Sequence, residues 1–333
     1  MEVAMGHDPQ ARFDAAQMLR LVSRTFSLGI EQLPGGLRDA VTVAYLMFRV
    51  SDFLEDNEQM DPERKSRLLE LWAAIVAGRV AVDALTDVLM HTDPEDPEAR
   101  VARHAGDVMR RLRALPAAVR DAIVEECIAS ARGMARWQVR GPDVRDEDDL
   151  DDYMFEVAGR VGLMLTRIFA WHADGIRARM EEMMPLAREF GLALQTVNII
   201  RNLREDFERG WIFVPETFCA TAGITREQLF EPAHLERALV VVDRLADKAE
   251  AHLAGGLDYV RMIPRRHHRI RLFCMWPLLF AVRTLALSRG NGRVLSDEVK
   301  ISREDVMRIV VQSQLWGWSN GWLSSFYEEL RAA

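Results

Sequence analysis

Apolar residues recur at three- and four-residue spacings along nearly the whole chain, and strict apolar–polar alternation is almost absent. That periodicity belongs to amphipathic helices, not strands. It predicts helices over 37–56, 63–78, 98–114, 117–138, 149–172, 181–209, 234–254, 267–289 and 303–330. Turn-forming clusters fall between them: "LPGG" at 33–36, "HTDPEDPE" at 91–98, "RGPD" at 140–143 and "SRGNG" at 288–292, where Pro and Gly interrupt a helix. Residues 210–233 break the pattern and are expected to form an ordered excursion between helices. Connectors are short and no repeat of the solenoid kind recurs. The expectation is an all-α, single-domain helical bundle over 1–333.

Composition narrows the function. A 49% hydrophobic, 28% charged chain of 333 residues has ample core. A net charge of -8 argues against a nucleic-acid binder, whose phosphate contacts need a basic surface. Cys127, Cys219 and Cys274 are odd in number and far apart, which suits a reducing compartment. The start "MEVAMGHDPQARFD" lacks the pattern of a signal peptide, and no unbroken apolar run reaches the ~18 residues of a membrane span. A cytoplasmic location is expected.

Two helix faces carry candidate chemistry. "RVSDFLED" places Arg49, Asp52, Glu55 and Asp56 together; "NIIRNLREDFERG" places Asn198, Asn202 and Asp206 at spacings of four, beside Arg201. Oxygen ligands at i and i+4 converge above a helix and suit Mg²⁺ held partly by substrate phosphates. Arg49, Arg201 and Arg24 of "SRTFS" are candidate diphosphate contacts. "YMFEVAGRVGLMLTRIFAW" and "RLFCMWPLLFAVRTLAL" offer an apolar, aromatic cavity for a carbocation. Other features read more simply. "RDEDDLDD" at 145–152 is expected to cap its helix, and the adjacent histidines of "RRHHR" point to different sides. No nucleophile elbow or Gly-rich phosphate loop is present in the sequence. The aromatic C-terminal stretch 309–330 is expected to be core, with a lipid-touching surface as the alternative.

With those residues in place, the chain resembles the squalene/phytoene synthase family over about residues 20–305. The matching segments, in order, are "SRTFSLGIEQLP", "YLMFRVSDFLED", "YMFEVAGRVGLMLTRIF" and "GLALQTVNIIRNLREDFERGWIFVP". The resemblance implies an isoprenoid-synthase α-fold around a central cavity, two allylic prenyl diphosphates as substrates, farnesyl diphosphate first among them, Mg²⁺, and a cyclopropylcarbinyl diphosphate intermediate. It implies metal ligation by Asp52 and Asp56 with Glu55 close by, and by Asn198, Asn202 and Asp206 from the facing helix. Arg24, Arg49 and Arg201 would hold diphosphate. Tyr153 would move a proton, and the small residues Ala158, Gly159 and Gly162 would let a prenyl chain pass near the backbone. "LFCMWP" and "VKIS" lean toward the squalene branch, which uses NADPH and makes Lys300 a candidate cofactor contact.

Three departures stand out. Asn202 replaces the family's usual Asp, Trp211 its usual Arg, and Ser302 follows Ile301 where a basic residue is usual. Asn keeps a ligating oxygen and loses a charge. Trp211 adds an aromatic surface for a passing carbocation. The N-x-x-x-N-x-x-x-D pattern also resembles the metal triad of class I terpene cyclases, so an enzyme acting on one prenyl diphosphate is the alternative. Oligomeric state is not legible in the sequence.

Overall fold

In the computed structural model, which describes residues 13–23, 25–90, 92–93 and 95–332, the periodic segments are helices, and no strand occurs among the described residues. The chain enters through α1 (Ala15–Val22), whose first amides bond to the Asp14 carboxylate, and α2 (Thr25–Gln32). The long α3 (Gly35–Asp56) leads to α4 (Pro62–Val76), which has Asp61 as N-cap and Pro in its first turn. Next come α5 (Asp83–Leu89), α6 (Pro97–Arg103), α7 (Ala105–Ala114) and α8 (Ala117–Arg140). Then α9 (Glu147–Met154) passes through a π-helical turn (Phe155–Gly159) into α10 (Arg160–His172). After the single turn α11 (Asp174–Arg177) come α12 (Met180–Glu208), α13 (Glu216–Ala222), α14 (Leu235–Met262), α15 (His268–Ser288), α16 (Arg303–Trp316) and α17 (Asn320–Ala332).

The departures from the expected boundaries have local causes. The 98–114 segment splits at His104, which leaves helical geometry and faces Asp107 at 3.0 Å. The 303–330 segment breaks after Trp316 because Arg271, fully buried on α15, takes the carbonyl oxygen of Gly317 at 3.0 Å. The same guanidinium donates to the carbonyls of Val260 and Ile263 and to Asn320 Oδ1, so it ties together the ends of α14, α16 and α17 without a carboxylate. The excursion at 210–233 contains α13 and two 3-10 turns, Glu227–Phe230 and Pro232–His234. α15 is apolar and long enough to cross a membrane, yet 78% of its window is buried inside the bundle. It is a core helix.

α3, the π-helical turn with α10, α12 and α15 wall a central cavity. Two glycines fix the approach of α10 to α12. A Cβ at Gly162 would lie 2.2 Å from the carbonyl oxygen of Ala187, and one at Gly191 would lie 2.5 Å from that of Ala158. Both are contacts of backbone with backbone, so neither neighbour can rotate away. This corrects the expectation for Gly162: the residue borders the cavity, but its missing side chain makes room for α12, not for a prenyl chain. A Cβ at Gly159 would likewise meet the Phe155 ring at 2.5 Å.

Candidate active site

The cavity has a volume of about 1100 Å³ and two unlike ends. α3 and α12 both finish at its polar mouth, so the partial negative charges of two helix C-termini meet there. Asp52, Glu55 and Asp56 come from the last turns of α3, and Asn198, Asn202 and Asp206 from those of α12. All six line the cavity, as do Tyr153, Arg49 and Arg201. Below them the wall turns apolar, with Phe26, Phe48, Phe169, Phe190, Phe273 and Phe280 among its residues. Phe190 lies 16 positions before Asp206 on the same helix, which puts it about 24 Å down the axis.

The mouth is overloaded with negative charge. Burial pushes Asp52 up to about 6, against the pull of Arg49, with Asp56 adding to the rise. Its side chain keeps 27% of its surface, directed into the cavity, where the surrounding protein leaves it only partly hydrated. Asp206 is pushed up to about 6, again by burial first and against Arg209. Burial together with the neighbouring Asp56 and Asp52 lifts Glu55 well above the usual carboxylate range. Asp56 is raised as well. Tyr153, buried and close to Glu55, Asp56 and Asp206, has its phenol held well above its ordinary value, so it is neutral at physiological pH.

Each arginine at the mouth is held by acids or amides. Arg49 Nη1 lies 3.0 Å from Asp52 Oδ2, and its other Nη pairs with Glu98. Arg201 donates to Asn198 Oδ1 at 2.6 Å and to Asn202 Oδ1 at 3.1 Å, with Glu298 at 3.5 Å. Asn202, the altered position, therefore has its oxygen turned to Arg201 and its amide nitrogen 3.5 Å from Asn198 Oδ1.

Sequence reasoning missed the cation that joins the two acidic helices. Arg209 Nη2 is 2.8 Å from Asp206 Oδ1, and its Nη1 is 3.6 Å from Asp56 Oδ1. The i,i+3 spacing to Asp206 was visible; the reach to Asp56 is tertiary. Glu98 and Glu298, which also line the mouth, were missed for the same reason.

Other candidates fall outside the cavity lining. Lys300 is 70% exposed and paired with Glu298, so it sits on the rim beyond the carboxylate that meets Arg201. Ser302 caps α16, its hydroxyl accepting from the amide of Asp305 at 3.0 Å. Trp211 does not border the cavity: it stacks on Phe213 (5.2 Å between centroids), which in turn stacks on Tyr153 (4.4 Å). The expected direct contact of Trp211 with a carbocation is thereby corrected to support of the Phe213 and Tyr153 rings from behind. Arg24 lies outside the described residues. The acidic run before α9 is structural: Asp146 caps the helix, and Asp149 pairs with Arg140 and Arg145.

Among the described residues, no three acidic, His or Cys side chains converge closely enough to cage a divalent ion. Oxygen-only donors, surplus negative charge and an incomplete cage suit Mg²⁺, which is usually held by one or two carboxylates together with substrate phosphates.

An all-α bundle around an apolar cavity with an acidic, arginine-lined mouth is the isoprenoid-synthase type of α-fold. Within that class the chain belongs to the squalene/phytoene synthase family, whose model matches residues 19–305. It is 27% identical over 307 residues to squalene synthase of Schizosaccharomyces pombe, covering 89% of this chain and 64% of that protein. With squalene synthase 1 of Arabidopsis thaliana it shares 30% over 297 residues, covering 88% of this chain and 69% of that one. Its fold superposes with a TM-score of 0.82 on the structure of TcSQS in complex with BPH1237, at 26% identity, covering 95% and 90% of the two chains. The expected isoprenoid-synthase α-fold is the fold observed.

Proposed function

We propose that the protein is a Mg²⁺-dependent prenyltransferase that joins two allylic prenyl diphosphates head to head through a cyclopropylcarbinyl diphosphate. The observation that carries this reading is the cavity of about 1100 Å³, lined by carboxylates and arginines at one end and by aromatic side chains along the rest. That volume stands at the upper end of the ~300–1,000 Å³ usual for small-molecule sites, which supports a site larger than one short chain needs. Asp52, Asp56 and Asp206, with Glu55, Asn198 and Asn202 beside them, would hold Mg²⁺, which would neutralise the diphosphate and favour its departure.

The chain's own residues do the rest. Arg49, Arg201 and Arg209 exchange their carboxylate and amide partners for diphosphate oxygens and orient the head group. The apolar barrel excludes water from the cation left behind. Tyr153 faces the same space with a neutral phenol, placed to relay a proton as the carbon–carbon bond forms.

Farnesyl diphosphate is the favoured substrate. Asn202 and Phe190 are 12 positions apart on α12, about 18 Å along the axis. The 12-carbon main chain of a farnesyl group spans about 14 Å at roughly 1.25 Å per bond, leaving room for the head group. NADPH is the proposed reductant, with Lys300 on the rim meeting one of its phosphates. The Asn198–Asn202–Asp206 pattern favours a second reading, in which one prenyl diphosphate is ionised and cyclised.

The test is Mg²⁺-dependent pyrophosphate release from farnesyl diphosphate by the wild type and by Asp52→Ala and Asp206→Ala. Both variants are expected to lose it. Full activity in either would refute the two-helix clamp.

A further inference from the structure

α16 leaves a stripe of its surface bare. Met307, Val311 and Leu315, spaced by four on one face, are 60%, 43% and 60% exposed, and Trp316 and Trp318 follow at 53% and 48%. The helix is anchored from the opposite side, where Ile309 and Ser313 are buried and Asp305 meets Arg283 of α15 at 3.3 Å. The expectation that 309–330 is core therefore holds for α17, which buries Leu323, Phe326, Tyr327 and Leu330, and fails for α16.

A second observation lies beside the stripe. The segment 265–269, which leaves the turn after α14 and enters the first turn of α15, carries Arg265, Arg266, His267, His268 and Arg269. It touches the last turn of α16, since His268 Nε2 is 3.2 Å from the Gln314 carbonyl oxygen. Arg265, Arg266 and Arg269 are all exposed, and none forms an ion pair among the described residues. The neighbouring acids Asp258 and Asp174 are already engaged by Arg261 and Arg177. On the stripe's own face the exposed carboxylate is Glu304, at the far end of the helix.

We infer that α16 and the 265–269 segment form a surface that docks on an anionic lipid bilayer. The pairing of aliphatic side chains with indole rings and flanking arginines is what an interfacial helix requires: apolar groups enter the acyl boundary while cations meet lipid phosphates. A second copy fits less well. Laid on the same face, it would bring three more unpaired arginines against a single further Glu304. The surface lies on the side of α15 away from the cavity, because Phe273, Pro277 and Phe280 face the cavity while Arg271 and Met275 meet Gly317. The inference rests on this surface alone and is independent of the reaction proposed above.

Flotation of the full-length protein with unilamellar vesicles tests it, using phosphatidylcholine with and without phosphatidylglycerol. The wild type is expected to float with the anionic vesicles and to be released by salt. Each basic residue near an anionic surface raises the partition about fivefold, so Arg265→Ala/Arg266→Ala/Arg269→Ala should lower it roughly 100-fold. Leu315→Ser/Trp316→Ser/Trp318→Ser should abolish flotation with the helical circular dichroism unchanged. Failure of the wild type to float, or flotation untouched by either triple variant, would overturn the inference. So would a stripe variant that turns a dimer into a monomer in sedimentation velocity, which would assign the face to a second copy.

Discussion

Substituting Gly162 by Ala adds one methyl group at the point where α10 meets α12. Its Cβ would lie 2.2 Å from the Ala187 carbonyl oxygen, whereas ordinary contact begins at 3.4 Å, so the helices must separate locally by the difference, about 1.2 Å. Overpacking of this kind costs about 1–3 kcal/mol, or about 1–4 °C in melting temperature for a chain of this length. The catalytic penalty should be larger. α12 runs without a break from Ala187 to Asn198, Asn202 and Asp206, so a shift at Ala187 tilts the residues at the mouth. A misplacement of about 1 Å costs on the order of 100-fold in rate. The assay is Mg²⁺-dependent pyrophosphate release beside thermal unfolding, with Gly35→Ala as the control because nothing lies within 4 Å of a Cβ there. A Gly162→Ala variant with wild-type melting and wild-type rate would show that the α10–α12 contact does not position the site.

Other outcomes follow from the charges. The folded-state pKa of Asp52 is raised to about 6 from 3.8, so its ionisation costs stability as pH rises through 6. Asp52→Asn should therefore be about 1–3 kcal/mol more stable than wild type at pH 8 while losing pyrophosphate release, as denaturant melts and the release assay will show. Below pH 6 protons compete with metal for Asp52 and Asp206, so the Mg²⁺ concentration for half-maximal activity should rise about tenfold per proton displaced between pH 6 and 5, read from Mg²⁺ titrations across pH. Tyr153→Phe keeps the stack on Phe213 and should lower kcat on the order of 100-fold without moving the melting temperature. Arg271→Ala strands the carbonyls of Val260, Ile263 and Gly317 and should cost about 3–5 kcal/mol, measured by chemical denaturation.

What the sequence disclosed was what local periodicity encodes. The i and i+4 spacing of Asp52 with Asp56, and of Asn198, Asn202 and Asp206, placed each set on one helix face, and those faces do line one cavity. Contacts between distant segments were not readable. Arg209 follows Asp206 by three positions, but its second partner, Asp56 at 3.6 Å, belongs to another helix and only the fold brings it near. Gly162 suggested space for substrate because the Ala187 carbonyl that demands its missing side chain is on another helix. The break between α16 and α17 depends on Arg271, 46 residues before Gly317. The exposure of α16 was equally hidden, since an apolar stripe looks the same in sequence whether a neighbour covers it or not.

The most direct test of the central claim is product identification. The purified protein would be incubated with farnesyl diphosphate and, separately, geranylgeranyl diphosphate, with Mg²⁺ and with or without NADPH, and the extracts resolved by mass spectrometry. The account predicts squalene when NADPH is present, and presqualene alcohol after phosphatase treatment when it is absent. A cyclic C15 or C20 hydrocarbon or alcohol as the sole product would contradict head-to-head condensation and assign the Asn198–Asn202–Asp206 helix to a cyclase.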